Sequence, residues 1–372
     1  MGGFSIKDIA EVPTSRLAAN NKGTFNVEWN IPLTGITGMD YCYQYPKYMA
    51  YVGWHEFGYY TDYALKFGVT EDGGKSWKEI SIPDKKKEAV GLGRIEAAGV
   101  IAMSSANPKN LVYSPTGGFV RYSDDMGETW HDASAEISEG VEVKFYMDAN
   151  IPAMYERLMP YWTAQNVAAD KINGDVFYIL TVKNSNFAEF WRSGDGGRTW
   201  TKTYTGDSSK KLDAKYLPFA NVRVNPVKEG DVFVAIRPGH DGEDSDRPFD
   251  YKPLWRSVDK SCADFQKVPG VQCATDVAFG KGDTPDTPYI YIYGKIAGDN
   301  IFGVYVSKDN AKSWTRITDE NTQFGKVQGL EADMRYKGRV FLYTGGRGIV
   351  CGESNNFTKQ WDDWYDWKDI YK

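Results

Sequence analysis

The octet Ser193-Gly194-Asp195-Gly196-Gly197-Arg198-Thr199-Trp200 has the pattern S-x-D-x-G-x-T-W, and the chain repeats this pattern. Further copies span residues 70–77, 123–130 and 307–314, and a degenerate copy spans residues 257–265. Small polar side chains can hydrogen-bond to the backbone of their own turn, and glycine tolerates positive φ. The closing tryptophan can bury a large apolar ring. The octets therefore predict structural hairpin turns of the Asp-box type.

The third position of every octet is an aspartate. A catalytic carboxylate is expected once in a chain, whereas this aspartate recurs in each repeat. We therefore interpret the octet aspartates as turn-forming residues, and not as an active site: Asp72, Asp125, Asp195, Asp259 and Asp309.

Strand patterns frame the octets. The runs 175–182, 231–238, 289–296 and 339–343 are rich in β-branched and aromatic residues, which favours strands. Each unit reads as two inner strands, a third strand, the octet turn and a fourth strand, and such four-stranded repeats indicate a β-propeller. Residues 330–354 form a sixth unit without an octet, and the first thirty residues could complete a seventh. The sequence predicts one all-β, seven-bladed propeller over residues 1–354.

The composition excludes several classes of protein. The 372 residues carry a net charge of −6, which argues against a nucleic acid as partner. No apolar run approaches the length of a membrane span. The four cysteines lack metal-ligand spacing; Cys262 and Cys273 either pair across a hairpin or remain buried thiols. We expect no metal, no cofactor and no membrane.

Three segments in the last third of the chain follow one another in a recognisable order: Leu254-Trp255-Arg256-Ser257, residues 276–282 (DVAFGKG) and Tyr291-Ile292-Tyr293-Gly294. Over residues 221–353 this order resembles the C-terminal propeller of glycoside hydrolase family 74, and residues 38–130 resemble it less closely. The resemblance implies an enzyme acting on xyloglucan or a related β-glucan. The resemblance implies an enzyme of two seven-bladed propellers with the cleft between them, and each propeller contributes one catalytic aspartate.

The family's aspartate in this half lies just before a Gly-Gly-Phe. Here Gly2-Gly3-Phe4 lies at the start of the sequence, and Met1 stands where the segment with that aspartate is expected. No catalytic residue of the family can therefore be assigned in this sequence. In the family a polar run follows the Gly-Gly-Phe, and Asp8 is the one residue here in apparent register with it. The resemblance implies either one half of a larger secreted enzyme, with a sister propeller upstream, or a propeller that has lost the chemistry. The abrupt start also suggests a removed leader.

Aromatic side chains in loops predict a polysaccharide platform, because sugar rings stack their C–H faces on flat aromatic faces. We expect ligand contact from two insertions, which contain Trp54, Tyr59 and Tyr60, and Tyr161 and Trp162. The non-octet carboxylates that could form an inverting pair, or could simply be solvated, are Asp8, Asp148, Asp241, Glu243, Asp244 and Asp246. The run 239–250 could also bind calcium, but it lacks the order of a known calcium loop.

The tail, residues 355–372, is acidic and aromatic, with Trp361, Trp364, Tyr365 and Trp367 among its side chains. We expect it to pack along a blade edge or to dock a partner. Two functions remain open at this point. One is half of a β-glucan hydrolase, and the alternative is a glycan-binding or protein-interaction propeller without turnover.

Overall fold

The computed structural model describes residues 35–57, 62–80, 99–115, 120–134, 165–183, 187–205, 220–236, 253–299, 301–319, 324, 327–344 and 348–354. Every regular element in these ranges is a β-strand. The chain divides into two compact units, Met1–Pro218 with Ile370–Lys372, and Phe219–Asp369. We describe each unit by itself.

The first unit contains three antiparallel sheets, each of four strands in chain order. The first sheet comprises β1 (Gly35–Tyr41), β2 (Met49–Phe57), β3 (Asp62–Thr70) and β4 (Lys78–Ile80). The second comprises β5 (Gly99–Met103), β6 (Leu111–Pro115), β7 (Arg121–Ser123) and β8 (His131–Asp132). The third comprises β9 (Val167–Ala169), β10 (Phe177–Lys183), β11 (Phe187–Ser193) and β12 (Thr201–Thr205). Strand β5 packs against β1 on one side and β9 on the other.

The second unit also contains three antiparallel sheets. The first comprises β13 (Ala220–Val224), β14 (Val232–Ile236), β15 (Trp255–Ser257) and β16 (Gln266–Lys267). The second comprises β17 (Val271–Thr284), β18 (Thr287–Ile296), β19 (Gly303–Ser307) and β20 (Thr315–Arg316). The third has three described strands, β21 (Val327–Ala332), β22 (Val340–Thr344) and β23 (Gly348–Gly352). Strand β17 packs against β13 and β14 on one side and β21 on the other.

Central strands are buried where a sheet packs against its neighbour within the same unit. All five residues of β14 are buried, which explains why Val232–Ile236 is an uninterrupted apolar run. One cluster joins Phe233 and Ala235 of β14 to Val277 of β17. This face-to-face packing of consecutive four-stranded meanders is that of a β-propeller, and the fold is an all-β propeller of four-stranded blades.

The number of blades differs from the sequence prediction. The described residues form six sheets, and not seven. The six correspond to the six repeat units recognised in the sequence, because each of those units contains strongly patterned strands. The first thirty residues, which could complete a seventh blade, contain no octet and lie outside the described residues.

The four predicted strand runs are confirmed, since β10, β14, β18 and β22 overlap them closely. The tryptophans that close the octets are buried to different degrees. Trp77 and Trp200 are 7% and 5% exposed, as predicted. Trp130 and Trp314 are only partly buried.

Each blade has two distinct ends. The octets connect third strands to fourth strands, so they share one end with the connections between first and second strands. Backbone hydrogen bonds join the two kinds of connection, from Gly73 N to Lys47 O and from Gly196 N to Asp175 O, both at 2.9 Å. We call this the octet end. The connections from second to third strands, and from one sheet to the next, attach at the opposite end, which we call the loop end.

Candidate functional site

The octet aspartates are engaged by their own turns. In the octet of the third sheet, Asp195 Oδ1 accepts from Ser193 Oγ at 2.8 Å and from Thr199 N at 3.0 Å, and Asp195 Oδ2 accepts from Thr199 Oγ1 at 2.6 Å. Ser193 Oγ in turn accepts from Gly197 N at 2.9 Å. The same four bonds recur in the octets that contain Asp72, Asp125 and Asp309.

The degenerate octet keeps part of this scheme. Asp259 accepts from the backbone N and the hydroxyl of Ser261, which lies two residues on instead of four. The hydroxyl of Ser257 has no hydrogen-bond partner in the described structure. The shortened turn explains why the motif decays after Asp259.

Hydrogen bonding sets the charge of these carboxylates. Desolvation would raise the pKa of Asp72, but the hydrogen bonds from Ser76 and Thr70 outweigh it and lower the pKa to about 2. In Asp309 the hydrogen bonds from Ser313 are the largest cause, and they also lower the pKa. Such residues remain ionised acceptors, which suits a turn and does not suit a general acid.

The octets also link neighbouring sheets. Asn110 Nδ2 donates to Gly196 O at 2.9 Å, and Arg198 of the same octet pairs with Asp124 at 2.8 Å. In the second unit, Arg256 Nη1 donates to Asn310 O at 3.0 Å. At the octet end, side chains therefore make hydrogen bonds both within their own turn and to the neighbouring sheet of the same unit.

Most of the predicted ligand-binding residues lie outside the described residues: Asp8, Tyr59, Tyr60, Asp148, Tyr161, Trp162, Asp241, Glu243, Asp244 and Asp246. Trp54 lies in β2, where its backbone is paired with Gly35 and Leu65. The described strands nevertheless locate where these stretches attach. Because β2 ends at Phe57 and β3 begins at Asp62, the connection between them attaches at the loop end.

A charged cluster at the loop end of the second unit was missed by sequence reasoning. Asp299, in the connection between β18 and β19, accepts from Tyr305 Oη at 2.9 Å and pairs with Arg316 Nε at 3.0 Å. The Asp299 side chain remains 32% exposed. Burial, and then the bond to Asp299, raises the pKa of Tyr305, which keeps its hydroxyl a donor. The cluster presents a fixed carboxylate to solvent.

An aromatic group lies in the same connection. The ring of Phe302 stacks on Tyr293 with centroids 6.0 Å apart, and Lys295 Nζ lies 5.0 Å from its centroid. Phe302 and Lys295 are both partly exposed. The carboxylate of Asp299 and the ring of Phe302 in this connection, with the ammonium group of Lys295 at the end of β18, can hydrogen-bond sugar hydroxyls and stack on a sugar face.

A second ionic group spans the first strands of the second unit. Asp276 is fully buried and accepts from Arg223 Nε and Nη2, from Val277 N and from Leu330 N. Arg223 Nη1 also pairs with Glu331 at 3.0 Å. Burial, and then the carboxylates, raise the pKa of Tyr343 beside this group to about 12. Asp276 is the first residue of the DVAFGKG segment on which the resemblance partly rests. In this structure that residue contributes to packing between sheets.

Other chemistry finds little support. The four cysteines are free thiols, so Cys262 and Cys273 do not pair. Within the described ranges no group of histidine, cysteine, aspartate and glutamate side chains could hold a metal ion. Among the same residues no helix is long and apolar enough to cross a membrane.

Relatives of this chain are xyloglucanases. It is 30% identical over 320 residues to the xyloglucanase Xgh74A of Acetivibrio thermocellus, covering 85% of this chain and 30% of that protein. It is 26% identical over 332 residues to the oligoxyloglucan-reducing end-specific xyloglucanase of Emericella nidulans, covering 86% of this chain and 36% of that protein. The chain thus spans about a third of the length of the curated relatives it matches.

The structural comparison supports the fold. A crystal structure of the xyloglucanase of Xanthomonas campestris aligns with a TM-score of 0.58 at 22% identity, over 87% of this chain and 37% of that one. No protein-family model matches the chain. Together, the four-stranded blades and these relatives define a propeller of the glycoside hydrolase type. Over 85% of its length the chain is similar to xyloglucanases of the kind found in glycoside hydrolase family 74.

Proposed function

We propose that this chain is a carbohydrate-active propeller that binds xyloglucan or another β-glucan at the loop end of its blades. The observation that carries the proposal is the kinship with xyloglucanases over 85% of the chain. The octets themselves are engaged in turns and lateral contacts, which favours the loop end for the principal ligand site.

The described residues at the loop end suit a neutral polysaccharide. Asp299 is held in position by Tyr305 and Arg316, so its exposed edge can accept from vicinal sugar hydroxyls. Phe302 offers a partly exposed ring beside Lys295. These groups are held by strand β19 and its neighbours, and such preorganisation lowers the entropic cost of binding.

Further contacts are proposed from the two aromatic insertions. Trp54 lies near the end of β2, Tyr59 and Tyr60 belong to the connection between β2 and β3, and Tyr161 and Trp162 belong to the connection between β8 and β9. Both connections attach to strand ends at the loop end. We propose that they stack on successive sugar rings, while the octets act as structural Asp-box (BNR) turns.

For the reaction, we propose that the chain supplies one half of a cleft whose other half is a sister propeller. Inverting hydrolysis needs an acid and a base about 6.5–9.5 Å apart on opposite sides of the scissile bond. The relatives are about three times as long as the region matched, which leaves room for a second domain. The chain alone is then expected to bind β-glucan with little turnover. We propose that it acts outside the cell or at its surface, where such polymers occur.

The test is affinity electrophoresis of the isolated chain in gels containing xyloglucan, mixed-linkage glucan or hydroxyethyl cellulose. Reducing-sugar release from the same polymers is measured in parallel. We expect retardation on at least one polymer and little sugar release. Retardation on none of them would contradict the proposal and favour a protein-binding role. Robust sugar release would contradict the half-cleft and require a complete acid–base pair within this chain.

A further inference from the structure

An exposed tyrosine patch lies at the octet end of the first unit. It is formed by Tyr41, the last residue of β1, and by Tyr43 and Tyr45 in the connection between β1 and β2. Tyr41 is 41% exposed and Tyr45 is 49% exposed. The rings of Tyr41 and Tyr43 lie 6.4 Å apart between centroids, with their planes inclined by 37°. Single exposed apolar residues are ordinary, whereas neighbouring exposed rings indicate an interaction surface.

The backbone beneath the patch is fixed. Cys42 N donates to Tyr48 O and Tyr45 N donates to Cys42 O, both at 3.0 Å. Gln44 N donates to Ser105 O of the neighbouring sheet at 2.8 Å. The tyrosines are therefore presented on a short turn tied to two sheets, and ordering them on binding costs little entropy.

Charged groups border the patch. Lys171 Nζ lies 5.7 Å from the centroid of the Tyr41 ring and 3.4 Å from Asp40 Oδ1. The carboxylate of Asp40 is held by Met103 N at 3.0 Å and by Tyr41 N at 2.9 Å. A fixed carboxylate and an ammonium group thus lie beside aromatic faces.

We infer that the tyrosine patch is a second polysaccharide-binding surface, separate from the loop end. Amphipathic rings with a charged donor and acceptor at their rim match the alternating C–H faces and hydroxyls of a β-glucan chain. A protein partner would need about 800 Å² of its own surface to be buried, and three tyrosines on one turn supply less than that. Because the patch and the loop end lie at opposite ends of the blades, one long polymer, or two polymers, can be held at once. The inference rests on the proposed function, because both assume that the ligand of the protein is a β-glucan.

The test compares double variants by affinity electrophoresis in xyloglucan and hydroxyethyl cellulose. In Tyr41→Ala/Tyr45→Ala we expect the dissociation constant to rise about fivefold or more on at least one polymer, which corresponds to loss of about one ring contact. Tyr41→Phe/Tyr45→Phe keeps the rings and should bind like the parent. Melting temperatures of both variants should stay within about 2 °C of the parent, because the side chains are exposed.

The outcomes separate the patch from the loop end. Unchanged binding by Tyr41→Ala/Tyr45→Ala, together with weakened binding by Trp54→Ala/Phe302→Ala, would overturn the patch and leave the proposed function standing. The reverse pattern would support the patch and relocate the ligand. A change in oligomeric state on size exclusion, without a change in affinity, would show that the patch contacts a second copy and would overturn the inference. A parent protein that binds no polymer would overturn both proposals.

Discussion

Arg223 donates two hydrogen bonds to the Asp276 carboxylate, from Nε at 2.9 Å and from Nη2 at 2.8 Å. The two residues lie on β13 and β17, the first strands of neighbouring sheets, and the Asp276 side chain is entirely buried. Two backbone amides complete the coordination of the carboxylate. This pair joins two neighbouring sheets, between which the described strands form no continuous backbone hydrogen-bonded ladder.

Removing the guanidinium should therefore be costly. We expect Arg223→Met to lower the free energy of unfolding by about 3–5 kcal/mol, because a buried carboxylate is left without its partner. The matched control is Lys78→Ala, since Lys78 pairs with Glu128 where both side chains are more than half exposed. Such surface pairs contribute about 0–1 kcal/mol. Urea unfolding of both variants measures the difference, and equal losses would contradict this account of Arg223.

The octet carboxylates give a second prediction. Asp195→Ala should cost about 1–3 kcal/mol, because the Thr199 amide and two hydroxyls lose their acceptor. Glycan binding by the folded protein should be unchanged. Asp286→Ala is the control, since Asp286 is exposed in the turn between β17 and β18. Weaker glycan binding by Asp195→Ala at an unaltered melting temperature would mean that the octet has been misassigned.

The same carboxylates predict acid sensitivity. The pKa of Asp72 is about 2 in the folded protein, and those of Asp125, Asp195 and Asp309 are also lowered. In an unfolded chain the value is about 3.9. Their contribution to stability is thus complete above about pH 4 and is lost as the pH falls towards about 2. The melting temperature should drop steeply in that window, and less steeply in Asp72→Asn. A parallel decline in the two proteins would contradict this assignment.

Glycine at the fifth position of the octet at residues 193–200 meets two separable demands, although Ala311 occupies the same position of the octet at residues 307–314 with φ +66°. Gly197 has φ +90°, and a Cβ there would lie 2.4 Å from Val112 Cγ2. Gly348 has φ +72° but no atom within 4 Å of its added Cβ. Gly348→Ala should therefore cost only the backbone strain of about 1–2 kcal/mol. Gly197→Ala should add a packing penalty of about 1–3 kcal/mol. Thermal unfolding of the pair should show the larger loss for Gly197→Ala; the opposite order would refute the clash.

The octets and strands could be predicted from sequence because their determinants are local. Asp195 meets all its turn partners within four residues, so the motif carries its own geometry. The apolar run Val232–Ile236 likewise predicted β14 without knowledge of its neighbours. The number of blades could not be obtained this way, because residues 1–34 contain no octet.

The polar clusters depend on contacts that no local pattern encodes. Lys171 meets Asp40 across 131 residues of sequence, and Arg223 meets Asp276 across 53. Asp299 was passed over because it lies outside any motif, although its neighbours Tyr305 and Arg316 fix it in the structure. The alternation Tyr41, Tyr43, Tyr45 was visible in the sequence, but exposure of the rings decides its meaning. Sheet packing supplies that information.

The most direct test of a glycan-binding loop end is the affinity of three proteins for xyloglucan, measured by affinity electrophoresis over a range of polymer concentrations. We predict that the parent chain is retarded and that Asp195→Ala, altered at the octet end, is retarded equally. Trp54→Ala/Phe302→Ala should lose at least about fivefold in affinity, or about 1 kcal/mol, when assayed at a temperature at which it is folded. Equal retardation of all three proteins would contradict binding at the loop end, and no retardation of the parent chain would contradict glycan binding itself.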